Sequence, residues 1–96
     1  MSISFSWDSV KNSSNQRKHN ITFDEAKTVF YDDNARLIHD PDHSMDEERF
    51  IILGMSNKLR LLIVSHCYIK NDSNIRIISA RKATKHECKH YLERKL

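Results

Sequence analysis

The clearest hydrophobic pattern lies late in the chain, in Ile75-Arg76-Ile77-Ile78-Ser79-Ala80. Its apolar and polar positions follow the two-residue period of a half-buried strand, and its β-branched residues suit a pleated surface. Strict alternation sends Ile75, Ile77 and Ser79 to one face, and Arg76, Ile78 and Ala80 to the other. Arg76 is therefore expected on the open face of a sheet, with Ile75 and Ile77 under the helices. The segment turns basic at Arg81-Lys82 and runs into a helix start. Thr84 and Glu87 have the spacing of a capping box, and the helix is expected to run from 85 to about 94.

Upstream, residues 3–7 alternate and predict a short first strand. Asp8 or Ser9 can cap a helix over 10–19, with Asn20 left-handed at its end. That helix carries Lys11, Asn12, Asn15, Gln16, Arg17 and Lys18, so tertiary contacts must hold it. Thr22 and Glu25 suggest a second capping box, and Phe23, Ala26, Val29 and Phe30 share one helical face. Strands are expected over 35–40, 49–55 and 60–69, the last of them central. A polar loop spans 41–46, and turns fall at 56–58 and 71–74. Short turns imply antiparallel pairing. The pattern thus predicts an α+β fold, a curved antiparallel β-sheet with two N-terminal helices and a C-terminal helix, the helices packed on one side.

The 96 residues allow one domain spanning 1–96. With 39% apolar and 30% charged residues the chain is globular rather than disordered. Its apolar runs, such as 61–64, are far too short for a membrane span. Two cysteines without an export signal read as reduced thiols, which points to the cytoplasm. The net charge of +3 is unevenly spread. Nine acids lie between Asp24 and Glu48 against Lys27 and Arg36, whereas residues 49–96 hold eleven bases and three acids. A segregated basic half suggests an anionic partner, nucleic acid before membrane.

Three constellations could carry chemistry. His86-Glu87-Cys88-Lys89-His90 matches the HExxH pattern of zinc hydrolases. Only Glu93 follows as a further carboxylate, badly placed on the same short helix to complete a metal site, so no metal is expected. Cys67 sits next to His66 on an apolar strand. Neighbouring strand residues face opposite ways, so a buried, unreactive thiol is expected. The third set is Arg49, Arg60, Arg76 and Arg81 with Lys82, drawn from neighbouring strands of one sheet. Lys18-His19 adds a cation and the residue type best suited to proton transfer near neutrality.

The order of residues also resembles a known family. Phe5-x-Trp7-Asp8-x-x-Lys11, Asn15-x-x-Lys18-His19-x-Ile21-x-Phe23-x-Glu25-Ala26-x-x-Val29-Phe30, Glu48-Arg49-Phe50, Gly54, and Ile75 through Thr84 with Glu87 and Tyr91 are similar to the BrnT toxins of type II toxin–antitoxin modules. The resemblance runs from Phe5 to Tyr91. It implies a RelE-like fold and a ribonuclease that inhibits translation. It implies a BrnA-type antitoxin as partner, with operator DNA met only through the toxin–antitoxin complex. It further implies cleavage without metal or cofactor, in which the RNA 2′-hydroxyl attacks the adjacent phosphorus.

Such a reaction needs a base, cations for the phosphorane and an acid for the leaving oxygen. Arg60, Arg76 and Arg81 are the candidate phosphate ligands, and Glu48 or His19 the candidate base. Lys18, Arg49 and Lys82 are candidate RNA contacts, and Tyr91 could stack a base or orient a phosphate. The resemblance does not itself fix these roles. A non-catalytic RNA- or protein-binding module would use the same basic surface.

Overall fold

The computed structural model describes residues 2–40 and 48–93. In chain order the elements are β1 (Ser4–Ser6), α1 (Ser9–His19), α2 (Phe23–Ala26), a 3-10 turn (Lys27–Tyr31), β2 (Arg36–Asp40), β3 (Arg49–Met55), β4 (Leu61–Tyr68), β5 (Asn74–Lys82) and α3 (Lys85–Leu92). The loop expected over 41–46 lies outside the described residues, as does the end expected for the last helix.

Local signals set most boundaries. The Asp8 carboxylate accepts from the Val10 and Lys11 amides to start α1, and Asn20 closes it at φ 59°. Thr22 caps α2, but its capping box is half made: Thr22 accepts from the Glu25 amide, while the Glu25 carboxylate goes elsewhere. The box at Thr84 and Glu87 is reciprocal. The second helix is shorter than its apolar spacing suggests, tightening to 3-10 geometry after Ala26.

The sheet has the order β1-β5-β4-β3-β2. β2 to β5 form an antiparallel meander, as expected. The first strand departs from that expectation: β1 lies parallel to β5. β4 already occupies the other edge of β5, so β1 takes the free one, and the intervening helices carry the chain across the sheet to β2.

The helices also occupy both faces rather than one. The main core joins Ile21, Phe23, Ala26 and Val29 to Ile52, Leu62, Val64, Ile75 and Ile77. The alternate residues Leu53 and Ile63 pack against Tyr91 of α3 on the opposite face. The cause is visible in composition: Ile51-Ile52-Leu53 and Leu61-Leu62-Ile63-Val64 are continuous apolar runs, the signature of strands covered on both sides.

Close packing over β3 makes a sharp demand at Gly54. A Cβ there would stand 2.7 Å from Val29 Cγ1 and 3.0 Å from the Ala35 Cβ. Gly54→Ala is expected to cost about 1–3 kcal/mol through overpacking, read as a lower urea midpoint with an unchanged slope.

Two features position the site. The first is how polar α1 stays attached. Asn15 is buried, and its side-chain amide donates to the Ala80 carbonyl at 2.9 Å and accepts from the Ala80 amide at 3.0 Å. One side chain thereby satisfies the edge of β5 beyond the reach of β1. Asn15 also donates to the Ile21 carbonyl, and Asn12 accepts from the Phe23 amide. The second feature is a β-bulge. His66 pairs with Ile77 and Ser65 with Ser79, so Ile78 is an extra residue in β5. The bulge overturns strict alternation: Ala80, not Ser79, joins Ile75 and Ile77 in the core. Ser79 and Arg81 instead share the face of Arg76.

Candidate active site

On the face away from α2, α3 covers only one end of the sheet. Beside it opens a cleft of about 260 Å³. Its lining comes from β2 (Asp40), β3 (Arg49, Ile51), β4 (Ile63, Ser65), β5 (Ser79, Ala80, Arg81) and His19 at the end of α1. The floor is apolar at Ile51 and Ile63, and the polar groups stand around it. Asn15 anchors α1 on β5, and this brings His19 to the same cleft as Arg81.

The Arg81 guanidinium is held rather than free to swing. Its Nη1 and Nη2 donate to the two carboxylate oxygens of Glu87 at 2.8 and 2.9 Å, and Nη1 also donates to the Lys82 carbonyl. Glu87 Oε1 accepts in turn from the Thr84 amide at 2.8 Å. The helix cap therefore aims the arginine. The Arg81 fork, with help from the Thr84 cap, holds the Glu87 carboxyl down to about 2. The Nε–H and one Nη2–H of Arg81 lie outside these bonds and suit a phosphate oxygen.

The comparisons with known proteins bear on what this cleft does. Residues 7–87 match the family model described as the ribonuclease toxin, BrnT, of type II toxin–antitoxin systems. The chain belongs to the BrnT family of ribonuclease toxins. Among solved structures, the chain is similar to the Brucella abortus ribonuclease toxin BrnT, determined at 1.1 Å resolution. That match has a TM-score of 0.64 at 22% identity and covers 88% of this chain and 100% of the other. No curated protein matches the sequence.

Within this BrnT-family chain, the sequence-derived candidates separate into groups. His19, Arg49 and Arg81 converge on the cleft. Arg76 is exposed, opposite Cys67 on the same face of β5, beyond the cleft's lining. Lys18 and Lys82 are exposed and adjoin His19 and Arg81 in sequence. Three candidates are engaged elsewhere. Arg60 forms a fork with Glu25 and donates to the Asn20 carbonyl, on the side of α2. The Glu48 carboxylate lies 3.5 Å from His39 Nε2, outside the cleft's lining. Tyr91 is buried against Leu53 and Ile63, and its hydroxyl donates to Asp32 at 2.6 Å.

Alternation and charge counting missed Asp40, Ser65 and Ser79. A serine inside an apolar strand was the available signal. For Ser79 the bulge hid which way it faced.

The HExxH match resolves into ordinary surface chemistry. The His86 and His90 rings meet edge-on, 5.1 Å apart between centroids, on an exposed helix face. Glu87 spends its carboxylate on Arg81 and the Thr84 amide. Cys67 is a buried thiol, and its neighbour His66 lies on the opposite face.

His66 is fully buried among Phe30, Phe50 and Tyr68. Burial holds its pKa below the ordinary 6.5, against a smaller opposing pull from Nδ1–H donating to the Val64 carbonyl. The folded state thus refuses a proton that the unfolded chain accepts, and stability is lost as pH falls. The melting temperature is expected to hold above about pH 6.5 and decline below it. A second loss follows between about 4.5 and about 2 as Glu87 is protonated. His66→Phe should flatten the first decline and leave the second, as followed by melting curves across pH.

Proposed function

We propose that the cleft cuts RNA without a metal, through attack of a 2′-hydroxyl on the adjacent phosphorus. Arg81 and Arg49 bind the non-bridging phosphate oxygens, and His19 transfers a proton at the reacting centre. Arg76, Lys18 and Lys82 extend the positive surface along the RNA backbone. The observation that carries this reading is the convergence of His19, Arg49 and Arg81, from three separated segments, around one cleft. Its serines can donate to the same phosphate.

In this reading the toxin has the RelE-like mode of action and acts in the cytoplasm on RNA used in translation. A BrnA-type antitoxin neutralises it, and the complex meets operator DNA through the antitoxin. No helix among the described residues is long and apolar enough to cross a membrane.

The test is purified protein incubated with RNA in excess chelator, followed by analysis of the new ends. Continued cleavage leaving 2′,3′-cyclic phosphate and 5′-hydroxyl ends supports the reading. Loss of cleavage on chelation overturns the metal-free mechanism. RNA that is shifted in a gel but left intact would make the cleft a binding module.

A further inference from the structure

We propose that Asp40 is the general base of the cleft, a role that rests on the ribonuclease reading above. Asp40 is the one carboxylate among the described residues that line the cleft, and it is only 9% exposed. A buried carboxylate in a phosphate site opposes the binding of its own substrate. Its presence calls for a role that repays that cost.

Position supplies the role. Asp40 ends β2 in direct register with Arg49. Cross-strand partners stand about 4.5–5.5 Å apart at Cβ, so carboxylate and guanidinium share one end of the cleft. A carboxylate offers about four lone-pair sites, so facing a cation is compatible with accepting a hydroxyl proton. His19 stands at the other end, on the helix docked to β5. From β2 to β5 are three strand spacings, about 14 Å, and side chains reaching inward narrow that gap.

In-line displacement places the attacking and leaving oxygens on opposite sides of phosphorus. It therefore needs its base and its acid on opposite walls, which is how Asp40 and His19 are arranged. Glu48, outside the cleft, has no such relation to His19.

The step is balanced without any co-reactant. An Asp40 oxygen takes the 2′-OH proton as the 2′-oxygen bonds to phosphorus. The bond from phosphorus to the 5′-oxygen breaks, and that oxygen takes a proton from the His19 imidazolium. Arg49 and Arg81 hold the non-bridging oxygens meanwhile. The products are a 2′,3′-cyclic phosphate and a 5′-hydroxyl.

The experiment compares wild type, Asp40→Asn and Asp40→Glu in single-turnover RNA cleavage across pH. Binding is measured in parallel on the same RNA with a 2′-deoxy residue at the scissile position. Asp40→Asn is expected to slow cleavage by about 10²–10⁴-fold and to remove the acidic limb of the pH profile. It should bind the uncleavable RNA at least as tightly as wild type, while Asp40→Glu recovers part of the rate and the limb. Unchanged cleavage by Asp40→Asn overturns the proposal. So does a parallel loss of binding, cleavage and melting temperature in both variants, which would make Asp40 a structural partner of Arg49. If wild type itself leaves RNA intact, the ribonuclease reading falls, and the base assignment with it.

Discussion

Arg60→Ala is expected to destabilise the protein by about 3–5 kcal/mol while the folded fraction cleaves RNA at the wild-type rate. The Glu25 side chain is only 1% exposed. Its carboxylate is satisfied by the Arg60 fork and by the Ser56 hydroxyl, which donates at 2.7 Å. The hydrogen bonds from Arg60 are the main reason its pKa lies below the ordinary carboxylate range, with burial pulling the other way. Removing Arg60 leaves a buried charge with a single hydroxyl donor, and that orphaned group is what makes the loss large. Replacing both partners, Glu25→Met with Arg60→Met, should recover much of the stability, because no charge is then stranded. Urea denaturation gives the stability, and cleavage normalised to folded protein gives the activity. Lost cleavage at unchanged stability would return Arg60 to the site.

Arg81→Ala is expected to behave the opposite way, with cleavage falling by about 10²–10³ and a modest change in stability. The Arg81 and Glu87 side chains are 41% and 27% exposed, so solvent already screens their attraction. Glu87 keeps the Thr84 amide as a partner when the arginine is gone. What disappears is a fixed cation in the cleft, aimed by its fork to Glu87. Arg81→Lys should restore only part of the rate, since an ammonium lacks the planar fork that fits Glu87 and a phosphate together. Single-turnover cleavage at saturating enzyme separates this loss from weakened binding. An alanine variant that cuts normally would remove Arg81 from the mechanism.

The contrast between these arginines shows what the sequence could reveal. Caps, turns and strand positions follow from rules acting over a few residues. Hence Asp8, Thr22, Asn20 and the Thr84–Glu87 box were readable, and residues 49–55 form a strand as their pattern predicts. The family was readable because its motifs run in order along nearly the whole chain. Partners distant in sequence were not. Arg60 and Glu25 are 35 positions apart, and Asn15 meets Ala80 across 65. Neither pairing has a periodic signature. In the sequence Asp40 is one of an acidic block, and only strand register sets it beside Arg49. The covering of both sheet faces could have been read from the unbroken apolar runs in β3 and β4.

The bulge at Ile78 carries a consequence for how this strand can change over generations. From Ile77 to Arg81 the chain must switch from facing α2 to facing the cleft, and it does so by carrying one surplus residue. Which side an arginine faces is thus a matter of counting. Losing Ile78 alone would leave the remaining residues in proper phase. Losing Ser79 or Ala80 with Ile78 absorbed into regular pairing would keep the count but change which residues lie in the cleft and the core. A further single insertion after Ser79 would turn Arg81 toward the core and Ala80 toward the cleft while leaving every motif residue present in the sequence. Homologues that preserve the basic motif but differ in length by one between these positions should therefore be tested for activity before being grouped with this chain.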